Sequence, residues 1–446
     1  MVDYAVPLLL VTVAAVARIG DAALWRDEIA SVQFATRPLG DLVHLLLGTE
    51  ANMGPYYLVL HFWMRLGESD VWIRALSVLG GLTSVVLTVA LGQRWFGRAV
   101  GVVAGVLLAV HPMFLDYLTE ARAYSWAMAA ALAATLAIRM DDGTVRTVRY
   151  GVATGVGIAL NLVNGLFLVA HACAFVTTRA RRSMWASFAR GIVLGGIIVL
   201  PVIPPLWSNR HSQVTWISHL SPVGFFAAAK DLAGGRVLAV MIGGVLLWTF
   251  YRCWRLDLIR SQPPVALLMA SICVPIVGLA LVSTVQPLFV DRYMIGVVPF
   301  LVLGVSFGLV RPIAAAFDQD RTRLLNRRAL LVAGAGVLVF LAAGWSPLHD
   351  RPRDDDPRAI AHHLSDHASG GDVVDFERSW DRTGVLRYLD RRDIELVAGG
   401  DASGDVDWRV GSAAFAGAGG TCFGDVCIGR AVNPRPLLNQ TGGGPH

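Results

Sequence analysis

Long apolar stretches separated by short polar loops dominate the first three quarters of the chain. A membrane-spanning helix needs roughly 20 apolar residues, and fewer where neighbouring helices shield it. The fifth and sixth apolar stretches are short, and Asn161 and Asn164 between them favour a tight hairpin over one long tilted helix. On this basis the pattern predicts about eleven spans. Their expected ranges are 4–20, 73–93, 99–115, 122–138, 150–162, 165–178, 191–206, 236–251, 265–283, 294–310 and 329–345.

Two regions depart from this pattern. In the loop after the first span, residues 41–47 and 55–66 are apolar or amphipathic but too short to cross, which predicts interfacial helices. After Trp345 the chain becomes rich in Asp, Arg and Gly. Its periodicity there predicts helices from Asp356 to Leu364 and over 383–389, and strands over 373–376 and 394–397.

The predicted fold is therefore an all-α polytopic membrane protein with a small C-terminal α/β domain. We expect a transmembrane domain over 1–345, an α/β domain over 346–435 and a disordered tail over 436–446. The α/β domain is predicted to lie outside the cytoplasm.

Composition agrees with a membrane protein. Of 446 residues, 55% are hydrophobic and only 16% are charged, with a mean hydropathy of +0.55. A soluble protein of this length has too little interior for that much apolar surface. The net charge of +5 comes from arginine, with Lys230 as the single lysine. This usage favours a GC-rich bacterial genome, such as that of an actinobacterium.

The arginines lie in short clusters between apolar spans, which is typical of cytoplasmic loops. They form no basic groove interleaved with aromatic residues, which argues against nucleic acid as a partner. With eleven spans, the loops on the opposite, extracytoplasmic side are 21–72, 111–122, 208–235 and 283–293, together with the C-terminal segment.

Two adjacent carboxylates, Asp27 and Glu28, follow the first span directly. Because carboxylates are costly to desolvate, they are expected to face water or a polar cavity. They are candidates for a general base that works on a lipid-borne substrate. Alternatively, their charge caps the N-terminus of an interfacial helix.

Three further polar clusters are predicted on the same face. Arginine there suits a phosphate, because its planar guanidinium bonds two oxygens at once. A carboxylate beside it could deprotonate a hydroxyl, which together describes transfer from a phosphate-linked donor to an alcohol. The candidate residues of these clusters are Asp116, Glu120, Arg122, Tyr124, His211, Arg292 and Tyr293.

Structural roles are the alternative for the same residues. Asp116, Glu120 and Arg122 could form an ion pair at a helix entry, and Arg292 with Tyr293 could anchor a span at the lipid headgroups. In the polar C-terminal segment, Cys422 and Cys427 predict a local disulfide if that segment is exported. A metal-binding pair is the weaker interpretation, since no His or Cys cluster accompanies them.

Several short motifs resemble the GT-C superfamily of membrane glycosyltransferases. The resemblance is greatest to the family 39-like branch that holds protein O-mannosyltransferases and lipid A aminoarabinose transferases. Its specificity lies in the order of the motifs. They are Trp25-Arg26-Asp27-Glu28, Gly54-Pro55-Tyr56-Tyr57, Trp72-Ile73-Arg74-Ala75-Leu76-Ser77, Glu120-Ala121-Arg122-Ala123-Tyr124 and Phe289-Val290-Asp291-Arg292-Tyr293.

This resemblance implies transfer of a sugar from a polyprenyl-phosphate carrier to an acceptor hydroxyl on the periplasmic side of the plasma membrane. It implies Asp27 as general base, with Glu28 orienting the base or the acceptor. It also implies that Arg122 and Arg292 lie near the donor phosphate. Tyr124 and Tyr293 would line the same pocket. No cofactor is expected, and the alternative is a divalent cation bound by Asp27, Glu28 and Asp116.

Mannose is the favoured sugar, and the short C-terminal domain favours a glycolipid or cell-wall glycan as acceptor over a protein. Two competing functions remain open from the sequence. A polyprenyl-lipid flippase or transporter predicts internal repeats and broken helices with mid-membrane charges, which the sequence does not display. A non-catalytic envelope scaffold predicts that Asp27 is dispensable.

Overall fold

The computed structural model divides the chain into two compact units. The first, here the membrane unit, comprises Met1–Ile19 and Phe34–Asp350, and the second unit comprises Gly20–Gln33 and Arg351–His446. The two-domain division with a boundary at residue 345 stays a prediction, since the observed units also group the segment after the first helix with the C-terminal residues. The structure describes residues 2–48, 50–140, 142–209, 217–310, 331, 334–336, 338–339, 356–398, 406–417, 420–423 and 425–431.

The described residues up to 310 are almost entirely helical, as the apolar pattern predicts. Short 3-10 segments at Leu162–Gly165, Leu200–Val202 and Asp291–Val297 interrupt the helices. A two-stranded antiparallel ribbon pairs β1 (Ile138–Arg139) with β2 (Thr144–Val145). The α-helices are α1 (Val2–Arg18), α2 (Arg26–Ala35), α3 (Leu39–Gly48), α4 (Gly54–Met64), α5 (Asp70–Phe96), α6 (Arg98–Ala109), α7 (Pro112–Leu118), α8 (Tyr124–Leu136), α9 (Thr147–Leu160), α10 (Leu166–Thr177), α11 (Arg182–Val199), α12 (Ile203–Ser208), α13 (Pro222–Ala233), α14 (Arg236–Arg255), α15 (Leu258–Ser261), α16 (Pro263–Val282) and α17 (Val298–Val310).

The structure supports a multi-pass membrane protein but does not confirm eleven spans. Among the described residues, five helical segments are long and apolar enough to cross a membrane, and α6 with α7, bent by 63°, makes a sixth. Several predicted spans contain helices shorter than the predicted range, because apolar composition does not show where a helix ends. The predicted span 329–345 lies largely outside the described residues. The five segments are Asp70–Phe96, Arg182–Ser208, Arg236–Arg255, Pro263–Val282 and Asp291–Val310.

The two helices predicted in the first loop are present as α3 and α4, and their interfacial location stays a prediction. The chain also breaks at Asn161, where the sequence favoured a hairpin between α9 and α10. Asn161 caps the following 3-10 turn through its side chain, which accepts from the Val163 N–H. Asn164 donates to the carbonyls of Ala127 and Gly157 at 2.9 and 3.2 Å. These amides therefore satisfy backbone groups at a break in an apolar environment.

Glycines allow a close contact between α9 and α11 in the membrane unit. A Cβ on Gly151 would lie 2.7 Å from the Gly191 carbonyl oxygen, and one on Gly195 would lie 2.9 Å from the Gly151 carbonyl oxygen. Gly155 and Gly195 meet in the same way. The spacing of four residues in both α9 and α11 places these glycines on one face of each helix, so the two backbones approach directly.

The described C-terminal residues of the second unit form a mixed five-stranded sheet and three helices. Strand order is β4-β3-β5-β7-β6, and β3 pairs in parallel with β4 and β5, whereas the β5–β7 and β6–β7 pairs are antiparallel. The carboxylate of Asp356 accepts from the N–H groups of Arg358 and Ala359 and so caps α18. The elements are α18 (Pro357–His367), β3 (Val373–Phe376), α19 (Ser379–Tyr388), β4 (Glu395–Ala398), β5 (Trp408–Gly411), α20 (Ala413–Ala416), β6 (Thr421–Phe423) and β7 (Val426–Arg430).

The sheet core is apolar, with Leu364, Val374, Phe376, Val385 and Val410 fully excluded from solvent. The predicted helices and strands up to residue 398 are present within a few residues of their expected bounds. Strands β5 to β7 were not predicted, because short glycine-rich segments carry little alternation of apolar and polar residues. The predicted tail over 436–446 lies outside the described residues.

We expect Asn164→Leu to destabilise the membrane unit by about 1–3 kcal/mol, because the Ala127 and Gly157 carbonyls would each lose one hydrogen bond in an apolar environment. Thermal unfolding of the purified chain in detergent measures the loss. Leu162→Ala, at a half-exposed position of the same turn, is the matched control. Equal unfolding midpoints for the two variants would contradict the role of the Asn164 amide.

Candidate functional site

The acidic pair lies in the first turn of α2, within the second unit. Glu28 is fully buried, and its Oε2 accepts from the Trp25 N–H at 3.2 Å. This is one half of a capping box, in which the third helical residue reaches back to the N-cap. Asp27 is half-buried, and the Ser31 hydroxyl bonds its backbone carbonyl, not its carboxylate. The capping alternative thus applies to Glu28.

The C-terminal residues of the second unit hold this segment. The Tyr388 hydroxyl, at the end of α19, accepts a hydrogen bond from the Leu24 N–H at 2.8 Å. One turn earlier, a Cβ on Gly384 would meet the Ile29 side chain at 3.0 Å, so α19 and the start of α2 are in close contact. The guanidinium of Arg358 lies 5.2 Å from the centre of the Tyr388 ring. Tyr388 therefore fixes the backbone three residues before Asp27.

A second cluster, in the membrane unit, surrounds Arg122 in the turn between α7 and α8. One Arg122 Nη donates to the Tyr57 hydroxyl at 3.1 Å. The Arg122 carbonyl accepts from the Ser77 hydroxyl at 3.1 Å, and that hydroxyl also bonds Tyr56 at 3.0 Å. Both the backbone and the guanidinium of Arg122 are thus positioned by α4 and α5.

The later motif joins this cluster. Arg292 and Tyr293 lie in the 3-10 turn before α17, and the Tyr293 carbonyl accepts from the Asn161 amide at 2.9 Å. Tyr124, buried at the start of α8, is within electrostatic reach of Arg122, Arg292, Glu120 and Tyr293. The structure therefore brings together five of the predicted site residues, although they come from two distant parts of the sequence.

Asp116 has a different partner from the one predicted. It forms an ion pair with Arg18 at the end of α1, with 3.0 Å between carboxylate oxygen and Nη. The two side chains are only 21% and 17% exposed, respectively. This supports a structural role for Asp116, with an arginine that the sequence did not single out.

Glu50 and Arg74 were not among the predicted site residues, although Arg74 belongs to one of the motifs quoted above. Glu50, just before α4, is half-buried, and burial raises the pKa of its carboxyl while the nearby Arg122 guanidinium opposes that shift. Glu50 and Arg122 are distant in the sequence, so their proximity is evident only in the folded chain. Arg74 is fully buried in α5 and donates to the Ile19 carbonyl at 3.1 Å. An arginine inside an apolar stretch is the sequence signal that could have identified it.

The remaining predicted residues lie elsewhere. Cys422 and Cys427 face each other across β6 and β7 and form a disulfide in the second unit. His211 lies outside the described residues. Within the part of the chain that the structure describes, no three His, Cys, Asp or Glu side chains are grouped so that they could hold a metal ion.

Known proteins share this architecture. ArnT from Cupriavidus metallidurans, solved with undecaprenyl phosphate, is 16% identical with a TM-score of 0.64, and the match covers 96% of this chain and 97% of ArnT. The chain has the GT-C fold. The apo form of the same ArnT gives 15% identity and a TM-score of 0.62 over 96% and 97% of the two chains. The Archaeoglobus fulgidus oligosaccharyltransferase gives 10% and 0.54, with 91% of this chain and 69% of that chain covered.

Detectable sequence similarity covers a smaller part of the chain than the similarity of fold does. The family model for dolichyl-phosphate-mannose-protein mannosyltransferases matches residues 52–208. That range holds Tyr57, Arg122 and Tyr124 but neither Asp27 nor Arg292. No curated protein matches the chain.

We expect Tyr388→Phe to loosen the segment before Asp27, because the Leu24 N–H loses its acceptor while the aromatic ring is retained. Loss of a single hydrogen bond is worth about 1 kcal/mol, so amide exchange at Leu24 should accelerate by roughly fivefold. Hydrogen-exchange mass spectrometry measures this in the full-length chain. Tyr251→Phe, on the exposed face of α14, is the control, and unchanged exchange in Tyr388→Phe would contradict the tether.

Because the pKa of Glu50 is raised in the folded chain, we expect this residue to lower the stability of the fold as pH rises. The folded state holds this proton more tightly than the unfolded chain, so the free energy of unfolding falls as pH rises from the ordinary glutamate value through the raised one. We expect Glu50→Gln to stabilise the chain at pH 7 and to have little effect at pH 4, where both states are protonated. Thermal unfolding at the two pH values measures this difference. An equal effect of Glu50→Gln at both would refute it, and Glu68→Gln, at an exposed position of the same loop, is the control.

Proposed function

We propose that this chain is a membrane glycosyltransferase that uses a polyprenyl-phosphate sugar. The observation that carries the proposal is that Arg122 and Arg292 both lie within electrostatic range of Tyr124, where the 3-10 turn Asp291–Val297 packs against α8, in a GT-C fold. Two guanidinium groups at a half-buried site suit a phosphate, which can accept paired hydrogen bonds from each. ArnT, whose fold this chain shares, was solved with undecaprenyl phosphate.

In the proposed reaction Asp27 is the general base. Its carboxylate takes the proton of an acceptor hydroxyl as that oxygen attacks the anomeric carbon of the sugar. The bond from that carbon to the phosphate oxygen breaks, with inversion, and polyprenyl phosphate leaves with both electrons. Arg122 and Arg292 stabilise the negative charge that builds on the phosphate. We propose that Arg122 and Arg292 also balance the second negative charge of the monoester leaving group, so that no metal ion is required.

The burial of Glu28 supports Asp27 over Glu28 as the base. A general base must reach its proton and be ionised near the working pH. Glu28 is buried and engaged with the Trp25 N–H, whereas Asp27 is partly exposed one residue away. In this proposal Glu28 positions the base, because it fixes the first turn of α2.

The substrates and membrane orientation belong to the same proposal. Mannose is favoured as the sugar by the mannosyltransferase model that matches residues 52–208. A second unit of roughly a hundred residues favours a glycolipid or cell-wall glycan as acceptor. The arginine-rich loops favour a plasma-membrane location with the reaction on the periplasmic side.

We expect Asp27→Asn to lower transfer by about 100-fold or more, which is the usual contribution of a general base. Glu28→Gln should cause a smaller loss, because the amide oxygen still accepts from the Trp25 N–H. Membranes that contain each variant receive radiolabelled polyprenyl-phosphomannose and an envelope lipid extract, and label in new products is followed. Asp21→Asn, an exposed carboxylate in the same segment, is the control.

Equal transfer by Asp27→Asn and the wild type, at equal protein level, would eliminate Asp27 as the base. Absence of transfer by the wild type with both mannose and arabinose donors would contradict the glycosyltransferase function itself. In that case lipid-flipping assays would test the transporter alternative.

A further inference from the structure

A groove of about 710 Å³ lies at the opposite end of α8 from the arginine cluster. Tyr124 begins α8 and Leu136 ends it, which separates the two places by roughly 18 Å along the helix. The groove is built by α5, α8, the β1–β2 ribbon and α9, all within the membrane unit. It is therefore distinct from the proposed donor site.

The walls of the groove are apolar. Small and branched side chains line it, including Ala90 from α5, Ala133 from α8 and Val152 from α9. Val148 and Val152 are 66% and 44% exposed, so the apolar surface continues out of the groove. In a membrane protein such a surface faces acyl chains.

Four arginines line the same groove: Arg94, Arg139, Arg146 and Arg149. Two have protein partners, since Arg94 donates to the Leu136 carbonyl at 3.1 Å and Arg139 lies 3.5 Å from the Asp142 carboxylate. Arg146 and Arg149 are exposed at the start of α9. The Asp142 carboxylate offsets the charge of Arg139. The other three arginines leave the lining with a net positive charge.

We propose that this groove binds an anionic glycerophospholipid of the bilayer. Its phosphate would contact Arg146 and Arg149, and its acyl chains would lie along the alanine and valine walls. The apolar walls offer nothing to a free phosphate, and the arginines offer nothing specific to a neutral lipid. These arginines are predicted to lie on the cytoplasmic side, where anionic lipids attract basic residues near the membrane surface.

Native mass spectrometry of the full-length chain in detergent, titrated with phosphatidylglycerol, tests this. We expect the double variant Arg146→Gln/Arg149→Gln to weaken phosphatidylglycerol binding roughly tenfold or more. The matched control is Arg255→Gln/Arg260→Gln, which removes two exposed arginines from the end of α14 and from α15. This control should bind as the wild type does.

A groove-filling variant tests the acyl-chain half of the proposal. Ala133→Phe keeps all four arginines and should also weaken phosphatidylglycerol binding, while glycerol phosphate alone should compete poorly for the wild type. Phosphatidylcholine should bind the wild type more weakly than phosphatidylglycerol does. Equal affinity for the two lipids, or equal loss in the two arginine double variants, would overturn the proposal.

Discussion

A backbone group released at a helix break inside a membrane has no water to bind, and this constraint organises the membrane unit. At several points near a helix end or break, a polar side chain from another element donates to a backbone carbonyl. Asn164 serves the carbonyls of Ala127 and Gly157, Arg74 serves Ile19, and Arg94 serves Leu136. Because such polar groups are costly to desolvate, we expect them in an apolar environment only where a carbonyl accepts a hydrogen bond from them.

The same constraint places the candidate site. Arg122 and Tyr293 lie where α7 gives way to α8 and where a 3-10 turn leads into α17, and at both points a side chain binds the released carbonyl. Ser77 and Asn161, which supply those bonds, come from other helices. The backbone positions of the two turns that carry Arg122 and Arg292 are thus fixed in part by hydrogen bonds from other helices.

Local signals were predictable from the sequence, and contacts between distant segments were not. Two asparagines within an apolar stretch predicted the break after α9, and Asp356 before a proline predicted the start of α18. The structure does not confirm the predicted count of spans, because α8, α9 and α10 are apolar yet only 12 to 14 residues long. Apolar composition does not specify where a helix ends. Likewise Tyr388 is hydrogen-bonded to Leu24, which is 364 positions away in the sequence. Patterns of hydrophobic positions carry no information about contacts at such separations.

The assignment of Asp27 to the second unit separates two chemical tasks. The groups proposed to bind the donor phosphate belong to the membrane unit, whereas the proposed base belongs to the unit that contains the mixed sheet. A guanidinium that holds the phosphate does so both before and during transfer, so its loss should affect the apparent affinity for donor together with the rate. A base acts only as the hydroxyl proton departs, so loss of Asp27 should appear in the turnover rate.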